Sequence, residues 1–495
     1  MTPLPAGLGP LGPRTPVLVG VGTASADAEA SELMVRAVRR AASDSGCATL
    51  LGEVDRIAVP KGTWAYSDPG RLVAGAVGCA GARTHLTELG VPQQSLINQA
   101  LAAIADGRSE VAVVVGGEAK RWARDHPAAG PVGADDGASV PDVVHRPGDP
   151  LLEPVEVAHR LWDPVQQYAM IDNALRWREG RSMAEHRADI AGLWARFNQV
   201  ARGNPDAAFP DPMDAGQIAT PSAANRPLAF PYNKWHSTQW TVNQSAALVL
   251  CSAEAAVRLA IPADRWVFPL VGIESSHAVS LLRRRAPHAW PAMEVLGRAA
   301  AGRIGRSLAE VEVLEAYSCF PAAVRVQQRA LGLGTDSTPT VTGGMAFAGG
   351  PFNNFVFQAT AAVVRAVRER TGSLGAVTTV SGLLTKPGIG VWAHRPDGLG
   401  PLVADLAGEV GAHTPAFDAG AVVESLDGYR GSATVVTYTV TYDAMDPVRT
   451  VALCDTVDGR RCVAVSADPS LARHAVSDEL IGASAHIEDG AITLA

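Results

Sequence analysis

One short segment of the sequence combines residue types that can do chemistry. Residues 317–320 read Tyr-Ser-Cys-Phe, follow a short apolar run at 311–314 and precede a segment with helical periodicity at 322–331. A cysteine just before a helix can become a nucleophilic thiolate, because the helix dipole stabilises negative charge near the first turn. Such a nucleophile also needs a base, and this segment contains no histidine. Cys319 is therefore either a working thiol or a small buried side chain, as most free cysteines are.

A glycine-rich loop follows at residues 343–351, where five of nine residues are Gly or Pro. Glycine permits positive φ angles and close approach of the backbone to another group. The loop is either a buried turn between core elements or the frame of a narrow ligand tunnel. In the second case Gly343, Gly344 and Gly350 line a pocket, and Asn353 offers it a polar group.

Two other patterns have both a structural and a functional interpretation. The Gly-Val-Gly at 20–22 is part of a dinucleotide-binding fingerprint, but Ser25 replaces the third glycine, so a tight turn is the better interpretation. His236 lies close to Trp235 and Trp240. It is either part of an aromatic pocket mouth or a packed core histidine.

The elements that position these residues alternate between strands and helices. Continuous apolar runs at 16–22 and 111–115 predict strands that are buried on both faces. Helical spacing of apolar residues at 28–42 and 95–105 predicts the helices that cover them. This alternation predicts an α/β body with covered sheets.

Changes in composition divide the chain into several regions. Residues 1–15 are rich in Pro and Gly and are expected to form a flexible arm, and 120–230 mix Pro, Trp and charge as in a loop or lid insertion. Residues 399–495 alternate β-branched and polar residues around an Asp-Gly turn, which predicts a small β-barrel like the oligomer-binding (OB) fold. The rest forms an N-terminal half, 16–119 and 231–261, and a C-terminal half, 262–398.

Composition excludes several classes of function. The 495 residues are 47% hydrophobic and carry a net charge of −8, which disfavours nucleic-acid binding. No apolar run approaches the roughly 20 residues that cross a bilayer. The six cysteines lie far apart without a Cys-x-x-Cys pair, so we expect reduced thiols, no metal site and a cytoplasmic location.

The order and separation of these segments resemble the thiolase superfamily, enzymes that make or cleave the bond between Cα and a β-carbonyl of acyl-CoA. The resemblance covers 15–395 and rests on segments 92–119, 242–252, 317–320 and 343–351. It implies a duplicated five-layer α/β/α/β/α body. With its β-rich tail, the chain is most similar to actinobacterial thiolase-like proteins with an additional C-terminal domain, which are commonly labelled acetyl-CoA acetyltransferases.

The chain departs from this family at the customary catalytic positions. Gly90 stands where thiolases carry the nucleophilic cysteine, Gly350 replaces the histidine of a Gly-His-Pro motif, and Gly382 lies in a turn that has lost the second cysteine. Tyr317 replaces a polar oxyanion-hole residue, whereas Cys319 aligns with a cysteine of sterol-carrier-type thiolases. Backbone N–H groups near Gly90 and Gly382 can still bind a thioester oxygen, because that role needs no side chain.

The resemblance implies a coenzyme A thioester as substrate or ligand, with no covalently bound cofactor. The first functional hypothesis is an enzyme that makes or breaks a C–C bond, with retro-aldol cleavage by Tyr317 preferred over thiolysis by Cys319. The alternative is a catalytically degenerate subunit that binds acyl-CoA or lipid, or supports a partner enzyme. Family relatives usually pair through the N-terminal half, so a homodimer of that kind is expected.

Overall fold

The computed structural model describes residues 11–127, 139–148, 150–370, 372–414 and 422–494. Its strands, in chain order, are β1 (Pro16–Ser25), β2 (Arg56–Pro60), β3 (Arg83–Thr87), β4 (Val111–Ala119), β5 (Val143–His145), β6 (Pro227–Ala229), β7 (Tyr232–Asn233), β8 (Asn243–Ser252), β9 (Phe268–Glu274), β10 (Val313–Glu315), β11 (Leu374–Ser381), β12 (Lys386–Ala393), β13 (Leu402–Asp405), β14 (Arg430–Asp443), β15 (Asp446–Thr456), β16 (Arg461–Ser466), β17 (Ser484–Glu488) and β18 (Ala491–Leu494).

The α-helices are α1 (Ala30–Asp44), α2 (Pro69–Val77), α3 (Gln93–Ala105), α4 (Lys120–Asp125), α5 (Pro154–Ala158), α6 (Pro164–Arg178), α7 (Met183–Ala201), α8 (Ala215–Ala219), α9 (Ala253–Arg258), α10 (Pro291–Ile304), α11 (Pro321–Ala330), α12 (Gly344–Phe347), α13 (Phe355–Glu369), α14 (Ala407–His413) and α15 (Pro469–Ala475). None of these helices combines the length and the apolar character that crossing a membrane requires, as far as the described residues go.

Two sheets form the α/β body. The first has the strand order β1-β8-β4-β2-β3-β5, and the second has the order β10-β11-β12-β9-β13. Helices α3 and α13 contact strands of both sheets and therefore lie between them, whereas α1 packs on the outer face of the first sheet and α10 on that of the second. The predicted five-layer α/β arrangement is thus confirmed.

The glycines of the Gly-Val-Gly pattern allow α1 to pack closely on β1. A Cβ at Gly20 would overlap the carbonyl oxygen of Ala41, and one at Gly22 would overlap that of Ala37. Both carbonyls belong to α1, whose apolar side chains repeat at helical spacing against the sheet. The pattern therefore lies within β1 and serves helix–strand packing, so its interpretation as a tight turn is wrong.

The C-terminal strands close into a β-barrel. Strands β14, β15, β16, β18 and β17 pair in that order, and β17 pairs back to β14. The predicted Asp-Gly turn joins β15 to β16, and Cys454 lies opposite Cys462 in this hairpin with both thiols free. Strand β6 of the insertion adds to the outer edge of β14. The small appended barrel is confirmed, and its relation to the OB fold stays a prediction.

Two predicted domain limits differ from the structure. The barrel was expected to begin at 399, but β13 pairs in parallel with β9, and α14 packs on α10 of the second half. A four-residue apolar strand carries too little sequence signal to show which sheet it joins. Residues 1–10 of the predicted arm lie outside the described residues, whereas 11–15 are anchored by N–H groups of Ala253 and Glu254 that donate to the carbonyls of Thr15 and Pro13.

Arg461 of β16 connects the barrel to the second half. Its side chain is 1% exposed, pairs with Asp455 at 2.7 Å, and donates to the backbone carbonyls of Arg284 and Arg285. A buried guanidinium with this many partners leaves several unsatisfied groups when it is removed.

We predict that Arg461→Met lowers the free energy of unfolding by about 3 kcal/mol, because it removes a buried charge from its partners. The matched control is Arg460→Met, since Arg460 pairs with Asp458 on the exposed surface. Urea unfolding should show a lower midpoint for the first variant and no change for the second. Equal midpoints would contradict the role assigned to Arg461.

Candidate functional site

Tyr317 lies at the carboxyl end of β10, where the backbone is fixed by two polar side chains. Its N–H donates to Thr378 Oγ1 over 2.9 Å, and its carbonyl accepts from Gln327 Nε2 over 2.8 Å. Its ring, less than a tenth exposed, meets Phe355 edge-on with ring centroids 5.9 Å apart. Burial raises the pKa of Tyr317 well above its usual value, so the phenol is neutral at ordinary pH.

Cys319 lies two residues before α11, which starts at Pro321. Its carbonyl accepts from the N–H and the hydroxyl of Thr238, at 3.0 and 3.1 Å. Burial raises the pKa of the thiol to about 12, although a hydrogen bond with Tyr168 favours the thiolate. Cys319 is thus a protonated thiol near neutral pH, which argues against a nucleophilic role.

Tyr168 of α6 contributes a second phenol to the site. Its ring stacks on Phe320 with centroids 4.6 Å apart. Burial raises its pKa well above the usual value, the Cys319 thiol raises it further, and the positive charge of Arg284 acts in the opposite direction. Sequence reasoning missed Tyr168, because it lies in the insertion about 150 residues before its neighbours.

Tyr232 is the third phenol, and its oxygen accepts from the Ala322 N–H of α11 over 3.2 Å. This hydrogen bond occupies an N–H group in the first turn of α11. The N–H groups of that turn were expected to stabilise a Cys319 thiolate. Burial raises the pKa of Tyr232 well above its usual value, and the negative charge of Asp172 raises it further. No local sequence pattern predicted a role for Tyr232 or Asp172.

Asp172 and His186 form a buried pair behind Tyr232. Asp172 Oδ2 lies 3.1 Å from His186 Nε2, and both side chains are at most 1% exposed. They come from α6 and α7, neighbouring helices of the insertion. The insertion therefore supplies polar groups to the base of the site.

His236 lies in the core next to this cluster. It is 2% exposed, its ring stacks on Tyr232 at 5.9 Å, and its Nδ1 accepts from the Asn233 N–H over 3.1 Å. Burial lowers its pKa to about 3, so the ring is neutral. Of its two interpretations, the structure places His236 as a packed core residue.

Gly90 and Gly382 lie on either side of one leucine. A Cβ at Gly90 would be 3.6 Å from Leu151 Cδ1, and one at Gly382 would be 2.5 Å from Leu151 Cδ2. Both glycines have positive φ angles, and Lys386 Nζ donates to the Gly90 carbonyl over 3.2 Å. The turns that contain Gly90 and Gly382 thus converge on Leu151.

The Gly350 position has no room for a side chain. A Cβ there would overlap Thr238 Cγ2 and lie 3.3 Å from Met345. Thr238 is also the residue that binds the Cys319 carbonyl. Thr238 and Met345 thus occupy the space in which a side chain at Gly350 would stand.

Gly343 and Gly344 contact the insertion. Both have positive φ angles, and a Cβ at either position would clash with α7, at Ala201 and Phe197 respectively. The loop is linked to the site through the Met345 N–H, which donates to Ser318 Oγ over 3.1 Å. In this structure the two glycines serve close packing of the loop on α7.

Asn353 lies on the side of the first half. Its Nδ2 donates to the Lys61 carbonyl over 3.2 Å. None of its described hydrogen bonds reaches Tyr317 or Cys319. The structure therefore brings together Tyr317, Cys319 and the neighbourhood of Gly350, whereas Asn353 and His236 make their hydrogen bonds with Lys61 and Asn233.

The titratable groups around Cys319 are uncharged, and this determines which reactions they can assist. Three phenols and one thiol surround the start of α11, and burial holds each of them protonated. No imidazole among the described residues is hydrogen-bonded to Cys319. Such groups can donate hydrogen bonds or protons to a bound carbonyl, but they do not form an activated thiolate.

Comparisons with known proteins agree with the fold. Residues 414–491 match the family model described as the thiolase-like protein type 1 additional C-terminal domain. The structure resembles the monomeric SCP2-thiolase-like protein type 1 from Mycobacterium smegmatis, with a TM-score of 0.82 and 27% identity over 98% of this chain and 100% of that one. A search of curated proteins found no match.

More distant similarities cover the α/β body. The Ltp2-ChsH2(DUF35) aldolase is 18% identical with a TM-score of 0.58, over 78% of this chain and 99% of that one. The dimeric peroxisomal thiolase of Saccharomyces cerevisiae is 14% identical with a TM-score of 0.55, over the same shares. The resemblance found in the sequence is confirmed: the chain is a thiolase-like protein with an additional C-terminal domain.

We predict that Cys319 reacts slowly with iodoacetamide, because at pH 8 a thiol of pKa about 12 is only about one part in 10⁴ thiolate. The rate should rise with pH up to that pKa. Peptide mapping by mass spectrometry after timed alkylation measures it. Rapid, stoichiometric labelling of Cys319 at pH 7 would show an activated thiol.

We predict that Asp172→Ala lowers the free energy of unfolding by about 2 kcal/mol, since it leaves the buried polar ring of His186 without its neighbour. Asp478→Ala is the control, because Asp478 pairs with His474 at the same distance, 3.1 Å, on the exposed surface. Urea-unfolding midpoints compare the two variants. A midpoint for Asp172→Ala as high as that of the control would show that the buried pair does not stabilise the fold.

Proposed function

We propose that this thiolase-like protein binds an acyl-CoA thioester and makes or breaks a C–C bond by aldol chemistry. The observation that supports this most is the gathering of neutral phenols around Cys319, with Tyr317 at the strand end where thiolases carry an oxyanion-hole residue. Thiolysis requires a thiolate and a base for it, and the high pKa of Cys319 disfavours that route. Aldol cleavage requires no acylated cysteine.

The proposed reaction conserves every proton. The β-hydroxyl of the thioester loses its proton, Cβ becomes a carbonyl carbon, and the Cα–Cβ bond breaks with its electron pair passing into the thioester enolate. Cα then takes up a proton. Tyr317, neutral through burial, is the proton donor in this scheme, and the hydroxyl proton returns to it through Tyr168.

Arg284 assists Tyr168 in this scheme. Its charge stabilises the phenolate that Tyr168 becomes while it transfers a proton, since it lowers the pKa of that phenol. The backbone near Gly90 and Gly382 supplies the donors for the thioester oxygen. This placement requires Leu151, which lies between the two glycines, to give way to the substrate.

One observation favours a second candidate function. Leu151 lies between Gly90 and Gly382, and Thr238 and Met345 fill the space beside Gly350. A thiolase relative that has lost its catalytic groups and filled their places is suited to bind acyl-CoA or lipid, or to support a partner enzyme. Binding without turnover is the expected behaviour in that case.

We predict that the purified protein cleaves β-hydroxyacyl-CoA esters, and that Tyr317→Phe lowers kcat at least 100-fold, because general acid–base groups contribute about 10²–10⁴ to a rate. Tyr429→Phe is the control, since Tyr429 lies in the barrel and its hydroxyl donates to the Ser432 carbonyl. Release of the carbonyl product measures the rate.

The alternatives give distinct results in the same experiment. Cleavage of acetoacetyl-CoA by free CoA that is lost in Cys319→Ala would establish thiolysis instead. Calorimetric binding of acyl-CoA without any turnover would establish the binding function. Absence of both binding and turnover would exclude both proposals.

A further inference from the structure

An open cleft lies beside β1, an end strand of the first sheet. It measures about 390 Å³, which is within the range of roughly 300–1,000 Å³ that small-molecule sites occupy. The cleft borders the second half of β1 at residues 21–23, and α1 and α13 contribute to its walls. Its polar lining comprises Thr23, Arg40, Ser43, Asp44, Arg265 and Arg365.

Three separate elements bring arginines to this cleft. Arg40 belongs to α1, Arg365 to α13, and Arg265 to the turn that precedes β9. The carbonyl of Thr23 accepts from Arg40 Nη1 over 2.6 Å, and its hydroxyl accepts from Arg365 Nη2 over 3.1 Å. Arg265 Nη1 lies 3.5 Å from Asp44, which is also part of the lining. The fold therefore gathers three guanidinium groups around one cleft.

The arginines of the cleft outnumber the carboxylates that face them. The described hydrogen bond of Arg40 goes to a backbone carbonyl, and Arg265 reaches Asp44 only at 3.5 Å. Arg365 pairs with Asp206 at 2.8 Å. The lining residues and their neighbours in sequence all belong to the part of the chain that the structure describes. The cleft is thus locally positive in a chain whose net charge is −8.

A fourth arginine, Arg368, lies behind the cleft and uses its carboxylate. The Arg368 side chain is 8% exposed, pairs with Asp44 at 2.6 Å and donates to the Arg265 carbonyl over 2.6 Å. Burial lowers the pKa of Arg368, Asp44 opposes this effect, and the charges of Arg265 and Arg365 lower the pKa further. The positive charges therefore repel one another, and an anion bound in the cleft would relieve that repulsion.

The chemistry of the lining defines the ligand. A guanidinium presents N–H donors in a fork that matches the oxygens of phosphate, and three such groups suit its several oxygens better than the two of a carboxylate. The hydroxyls of Thr23 and Ser43 suit a polar carrier such as a sugar. We propose that the cleft binds a small phosphorylated molecule of this kind, with its phosphate group held by Arg40, Arg265 and Arg365.

This proposal goes beyond the acyl-CoA function and does not depend on it. The cleft is connected to the glycine-rich loop at 343–351 through Asp206, the partner of Arg365. The Asp206 carbonyl accepts from Gln244 Nε2 over 3.1 Å, and the same nitrogen donates to the Ala348 carbonyl over 2.8 Å. Binding in the cleft can be measured without any turnover.

Calorimetric titration of the full chain with ribose 5-phosphate and with ribose tests the proposal, at low ionic strength and in a buffer free of phosphate. We expect ribose 5-phosphate to bind at least tenfold more tightly than ribose, and added salt to weaken its binding. Arg40→Gln and Arg265→Gln should each weaken it roughly tenfold, because each removes a charged donor. Equal binding of the two ligands, or no binding of ribose 5-phosphate, would overturn the proposal.

Two further variants separate the cleft from general effects of charge and folding. Ser43→Asp adds a negative charge to the lining, keeps the described bonds of the arginines and should also weaken binding roughly tenfold. Arg39→Gln is the matched control, because Arg39 is the adjacent arginine of α1 but donates to the Ala76 carbonyl over 2.9 Å and does not line the cleft. Its affinity should stay within about twofold of that of the unsubstituted protein.

If the arginine variants do not fold, Ser43→Asp decides. Unchanged affinity in Ser43→Asp would place the phosphate group elsewhere and overturn the assignment. A loss in Arg39→Gln as large as that in Arg40→Gln would do the same, because it would show that overall charge rather than the cleft determines binding.

Discussion

Helix α6 packs against the barrel on one side and against the Cys319 turn on the other. Asn173 donates to the Tyr438 carbonyl of β14 over 2.9 Å, and Thr437 of β14 donates to the Met170 carbonyl over 2.6 Å. Tyr168 and Asp172 of the same helix reach the site. Because one rigid helix makes both contacts, a displacement of the barrel would shift the phenols around Cys319. This packing couples the additional domain to the site.

Desolvation determines the chemistry that the site can do. A phenol or thiol that is buried without a nearby cation stays in its neutral form, because an apolar interior stabilises anions poorly. The charge of Arg284 acts on Tyr168 and favours its phenolate. The site is therefore one of neutral hydrogen-bond donors, in which the charge of Arg284 opposes the effect of burial on Tyr168.

The sequence predicted the parts of the structure that are marked by the spacing of apolar residues, by turn residues or by the order of motifs. The layered body, the β15–β16 hairpin and the placing of Tyr317 and Cys319 at a strand end followed from apolar runs, turn residues and motif order. The roles of Gly343, Gly344 and His236 depend on tertiary neighbours such as Phe197 and Tyr232, which no local pattern reveals. Tyr168 and Asp172 were missed for a related reason. Helix α6 is buried on nearly all sides, so it lacks the polar face that would mark its orientation.

The position of β8 in the first sheet has a consequence for folding during synthesis. This strand lies between β1 and β4, yet it follows the whole insertion and pairs Pro16 with Ser252. The edges of β1 and β4 that it covers stay unpaired until the ribosome has made residue 252. Contacts of such long sequence separation form slowly, because the loop-closure entropy is lost before they form. A nascent chain that stops within the insertion therefore exposes two apolar strand edges, and such edges are prone to pair with other chains.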